Sequence, residues 1–147
     1  MSKALFAEQA EQFLSVVVKT WSMRTAFTSA EAADVLVKHA VKNGFLRDRG
    51  RSLPGSTLNS WGRNKDAPRW AMQSAMSMLL ADGWLPDDNA EWAAFAALFI
   101  MSNGGESLEL VLKKLPAGID AEIAAGWLCA ASENAARWRE RKKVMKT

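Results

Sequence analysis

A chain of 147 residues has room for one ordinary domain, or for two small helical subdomains around shared apolar surface. Its 49% apolar and 24% charged residues exclude a disordered chain, and the single Cys129 excludes an internal disulfide. Net charge is only +3, but it is segregated. Residues 38–69 hold eight Lys/Arg against two Asp, a net +6. Residues 87–133 hold two Lys against eight Asp/Glu, a net −6, and residues 134–147 return to +5. Such separation bears on partners rather than on fold.

Phe6, Ala10, Phe13, Leu14, Val17 and Trp21 fall on one face of a 3.6-residue repeat, which predicts a helix over 3–22. Thr28-Ser29-Ala30-Glu31 has the form of a capping box and opens a second helix over 29–42. Its stripe is Ala33, Leu36, Val37, Ala40 and Val41, and Asn43-Gly44 ends it. A basic, Gly- and Pro-containing loop follows to Gly55, with a short strand pairing as the only sheet it allows. A short helix over 56–63 is anchored by Leu58 and Trp61, and Pro68 helps to open another over 67–82.

Beyond Trp84-Leu85-Pro86, Asp87 or Asp88 caps a helix over 88–102, whose run from Trp92 to Met101 is apolar on every side and predicts a central element. Helices over 106–115 and 120–143 complete the chain, the last with Ile123, Trp127, Ala131, Ala135 and Trp138 as its buried seam. The expected fold is all-α: a compact bundle of about seven helices with a helix-turn-helix-like N-terminal half. The expected division is 1–86 and 87–147. The residues expected in the core are Phe13, Val17, Trp21, Leu36, Ala40, Leu58, Trp61, Leu79, Trp92, Phe95, Phe99, Leu112, Trp127 and Leu128.

Little in the chain points to catalysis. The single His39 lies among Val37, Ala40 and Val41, which reads as a structural or surface histidine rather than a general base. One His and one Cys do not make a common metal site, and no Gly-rich phosphate loop is present. The expectation is a protein that is not an enzyme and uses no metal or cofactor. No charged stub leads into an apolar run at the start, and the longest apolar run is ten residues, so the expected location is cytoplasmic, without membrane association.

The stretch 28–80 carries more information. A capped helix, a connection, a short polar helix held by two apolar residues and a further helix is the layout of a helix-turn-helix reader. Thr57, Asn59, Ser60 and Arg63 are types that can face base edges, Asn to adenine and Arg to guanine. Arg47, Arg49, Arg51, Ser56, Lys65 and Arg69 are types that hold phosphates. The run from Ser56 through Trp61-Gly62-Arg63-Asn64 to Pro68-Arg69-Trp70-Ala71 resembles the end of the helix-turn-helix in phage-repressor-like and mobile-element regulators. There a recognition helix ends in Trp, a polar turn with Gly follows, and Pro opens the next helix.

The resemblance implies sequence-specific binding of double-stranded DNA, transcriptional regulation, and action as a homodimer on repeated half-sites. The connection Asn43–Gly55 is longer than the three or four residues of the usual turn. Either the two helices do not pack as the standard unit, or a basic loop has been inserted. The alternative is an ordinary helical corner with Trp61 and Trp70 in its core. In that case the protein is a small adaptor or inhibitor that binds another protein, with its acidic 87–133 surface as a docking face.

Overall fold

A computed structural model describes residues 3–48, 50, 52–61, 65–103 and 106–146, with side chains from 5 to 135. It is all-α. Eight helices are present among the described residues: α1 (Lys3–Leu14), α2 (Val17–Met23), α3 (Ser29–Lys42), α4 (Gly55–Ser60), α5 (Arg69–Ala81), α6 (Asn89–Ser102), α7 (Leu108–Lys113) and α8 (Ala121–Lys146). Among the described residues no strand forms, as expected, and the one β-bridge joins Trp61 to Lys65, outside the 45–55 loop where the sequence allows a short pairing.

The eighth helix arises because the stretch expected as one helix over 3–22 is broken at Ser15-Val16. Val16 leaves helical geometry at φ −123°, ψ 4°, and its carbonyl accepts from Thr20 N–H to start α2. The apolar stripe runs through the break because residues on both sides are buried, so periodicity alone does not reveal it. The chain changes unit at this point. Residues 1–13 belong with 85–147, and residues 14–84 form the second unit. The division expected at residue 86 falls within two residues of the observed junction. The first helix, however, is part of the C-terminal unit rather than of the N-terminal subdomain expected from sequence.

In the unit of residues 14–84, α2 and α3 both pack on α5, and α4 packs on α3. Its interior is Val17, Val18, Trp21, Ala32, Ala33, Leu36, Ala40, Leu58, Ala71, Ala75, Met76 and Leu79. The small residues on α3 and α5 let the two helix backbones come close. Ser74, also buried, satisfies its hydroxyl by donating to the Leu36 carbonyl at 2.8 Å. Thr28 and Glu31 close the reciprocal capping box expected for α3.

In the other unit, α6 and α7 pack on α8, and Phe6 of α1 lies 6.5 Å from Trp127. Ala93, Ala94, Phe95, Ala96 and Leu98 of α6 are buried, whereas Met101 at its end is exposed. Asp88 caps α6 by accepting from Glu91 N–H at 2.8 Å, and Glu91 reaches back to Asp87 N–H. Asp120 caps α8 in the same manner.

Trp61, Trp92, Phe99, Leu112 and Trp127, expected to be mostly buried, lie at the edge of the core and are partly exposed. The seam of α8 runs through Ala124, Leu128 and Ala131, one position round from the expected Ile123 and Trp127, and Ile123 is 49% exposed. Trp138 lies outside the residues whose side chains are described.

Candidate nucleic-acid interface

Two hydrogen bonds fix how α3 and α5 run. Ser74 Oγ meets the Leu36 carbonyl, and His39 Nε2 meets Ser77 Oγ at 2.9 Å. Both join residues the same distance apart in sequence, so the helices run parallel. The start of α5 at Arg69 is therefore level with the start of α3. For two parallel helices to start level, the 43–54 connection must carry the chain back along the full length of α3. Its length, anomalous for a tight turn, follows from this topology.

The chain then lays α4 across the start of α3. Gly55 approaches so closely that a Cβ there would lie 2.9 Å from Ala30 N and 3.0 Å from Ser29 Cβ. Ser29 Oγ donates to Asn59 Oδ1 at 3.1 Å. After Ser60 the backbone extends at Trp61 (φ −70°, ψ 131°), and the Trp61 ring meets Trp70 of α5 edge-on at 5.9 Å. The helix expected over 56–63 thus ends at Ser60, because Trp61 turns out of it to pack on α5. Val18, Lys19, Ser22 and Met23 of α2 face Leu58, Asn59 and Trp61 across a groove of about 330 Å³. One end of this unit therefore gathers the end of α2, all of α4, and the starts of α3 and α5.

The expected site residues divide on this frame. Ser56, Asn59, Lys65 and Arg69 are exposed at this end. Asn59 uses its amide oxygen on Ser29, which leaves its Nδ2 hydrogens for an outside acceptor. Thr57 and Ser60 are half-buried, and Ser60 Oγ donates to the Thr57 carbonyl at 2.7 Å, so that hydroxyl proton is held within the helix. Arg47 is exposed but belongs to the opposite end of α3, where Phe45 and Leu46 N–H fold back onto the Ala40 carbonyl. The 14 residues of α3 separate it from Asn59 by about 20 Å. Arg49, Arg51 and Arg63 lie outside the described residues.

The fold adds cations that sequence windows did not group with these. Lys19 on the groove and Arg24 at the end of α2 are exposed at the same end of the unit. They precede the basic stretch 38–69, and only the packing of α2 beside α4 and α5 brings them to it. Glu31 and Asp66 are the nearby carboxylates, and Glu31 is occupied in the capping box. Among the described residues no ion pair neutralises Lys19, Arg24, Lys65 or Arg69. Lys38 differs: Asp34 holds it at 2.8 Å on the next turn, and that hydrogen bond raises its pKa above 10.5. Pro68 gives α5 no side-chain cap, so the first-turn N–H groups add their partial positive charge beside Arg69.

His39 lies within the bundle, not at this end. Burial, and secondarily the Lys42 charge, push its pKa below 6.5. Among the described residues no three His, Cys, Asp or Glu side chains gather to hold a metal ion, and no helix is long and apolar enough to cross a membrane. Cys129 is exposed. Comparison of the chain with protein-family models, curated proteins and solved structures finds no match.

Proposed function

We propose that the protein binds double-stranded DNA through the end of the 14–84 unit built around α4, and acts there as a transcriptional regulator. The observation that carries this reading is the gathering of Lys19, Arg24, Lys65 and Arg69 around exposed Asn59, with no described carboxylate paired to those four cations. Duplex DNA is a dense line of negative charge, and unpaired exposed cations gain from releasing its counterions. The uncapped start of α5 suits a phosphate oxygen beside Arg69. Asn59, held through its amide oxygen by Ser29, offers its Nδ2 hydrogens to a base-edge acceptor such as adenine N7.

This division assigns most affinity to phosphates and a small share to base edges, since Thr57 and Ser60 are half-buried. Fluorescence anisotropy on mixed-sequence duplex DNA tests it. Lys65→Ala and Arg69→Ala each weaken binding on all sequences, whereas Asn59→Ala loses about 1–3 kcal/mol on a preferred site and little on random DNA. Parent-like affinity in Lys65→Ala and Arg69→Ala contradicts the reading.

A further inference from the structure

The groove between α2 and α4 has apolar walls that phosphate binding leaves unused. Val18 and Leu58 line it and are buried, Met23 lines it 75% exposed, and Trp61 lines it half-buried. Ser22, on the same groove, spends its hydroxyl proton on the Lys19 carbonyl at 3.0 Å. Asn59 lines the groove as well, and its amide oxygen is turned onto Ser29 of α3. An asparagine clamps adenine by accepting from N6 and donating to N7, with both ends of the amide aimed at the base. Asn59 cannot make that clamp while α3 holds its oxygen. What it offers a base is the Nδ2 hydrogens alone.

The groove thus sets an N–H donor beside apolar walls, with the unpaired Lys19 and Arg24 cations at the same end of the unit to hold a polyanion. On the major-groove edge of a duplex, thymine alone carries an apolar group, its C5-methyl, beside an acceptor, O4. Guanine presents acceptors without a methyl, adenine adds a donor at N6, and cytosine presents a donor. We propose that this groove reads thymine. Asn59 Nδ2 donates to O4, the methyl packs on Met23 and Leu58, and Ser29 is the positioning residue that keeps Asn59 from clamping adenine. The proposal rests on DNA binding through this end of the unit and adds the base selected there.

Selection by the full chain from a randomised duplex library, followed by anisotropy on the selected duplexes, tests it. The position whose preference disappears in Asn59→Ala is the one Asn59 reads, and it should be thymine. Uracil at that position removes only the methyl and should weaken binding roughly fourfold. 5-Methylcytosine, paired with guanine, keeps the methyl but sets a donor against Nδ2, and should weaken binding roughly tenfold or more. In Ser29→Ala the amide oxygen is free to turn to the base, so the preference should move towards adenine, a change that mere destabilisation does not produce. Adenine preferred by the parent, or equal affinity for thymine and uracil, overturns the proposal. A uracil penalty that Met23→Ser leaves intact overturns the place given to the methyl, and an unchanged preference in Ser29→Ala overturns the role of Ser29. Salt-dependent binding with no position that depends on Asn59 overturns the thymine reader while DNA binding stands. No duplex binding at low salt overturns both.

Discussion

Gly55 is the residue on which the arrangement of the candidate interface depends. Its backbone is not in the left-handed region, so alanine is conformationally acceptable and would ordinarily favour the helix. The obstacle is the approach to Ala30 N and Ser29 Cβ, and backbone has little freedom to yield. Gly55→Ala is therefore expected to cost about 1–3 kcal/mol in denaturant unfolding, as overpacking does. A stabilised variant would show that α4 is not seated against α3. His39 offers a second residue-scale test. Its folded pKa lies below the unfolded value, so the unfolded chain binds more protons once the pH drops below about 6.5. Stability should hold above neutrality and decline as pH falls through and below that value. In His39→Gln that part of the decline should disappear, and an unchanged profile would mean that other groups cause it. Neither feature could be read from the sequence. From sequence His39 reads as a structural or surface histidine, with no sign of its Ser77 partner 38 residues away, and Gly55 reads only as the end of a flexible loop.

Most helices were legible because each carries its own signals. Thr28 with Glu31 caps α3 as the capping-box pattern predicts, and of the two candidates Asp87 and Asp88 it is Asp88 that caps α6. Caps also differ in strength. Asp88→Ala should cost about 1 kcal/mol in thermal unfolding, because it accepts at 2.8 Å. Ser107→Ala should cost less, its bond to Leu110 N–H being 3.4 Å long. An equal loss in the two variants would show that bond length does not govern these caps. Where sequence misled, two patterns coexisted. The stripe of 3–22 continues across a helix break because both units use it, and α8 is alanine-rich enough to present an apolar seam on either side. For the same reason the residues first read as its core, Ile123 and Trp127, border an exposed groove. Trp61 was read as part of a recognition helix, but its packing on Trp70 ends that helix and leaves α4 with only 6 residues. Of the residues expected at the interface, Ser56, Asn59, Lys65 and Arg69 come together. Lys19 and Arg24 were missed because their proximity is a product of topology.

At the scale of the whole molecule, the two units differ in net charge, although the acidic 87–133 and basic 134–147 stretches share one of them. The 14–84 unit holds ten Lys/Arg against five Asp/Glu, a net +5, and the other unit carries a net −2. A surface that binds phosphates must show this imbalance as a dependence on salt, whatever the base sequence. The direct measurement is the affinity of the full chain for mixed-sequence duplex DNA across a salt series. With Lys19, Arg24, Lys65 and Arg69 each displacing a counterion, log affinity should fall against log salt with a slope of about −3 to −4 per chain. The slope should flatten by about one in Arg69→Ala. A salt-independent affinity, or no binding even at low salt, contradicts the account and leaves that end of the unit a solvated basic surface.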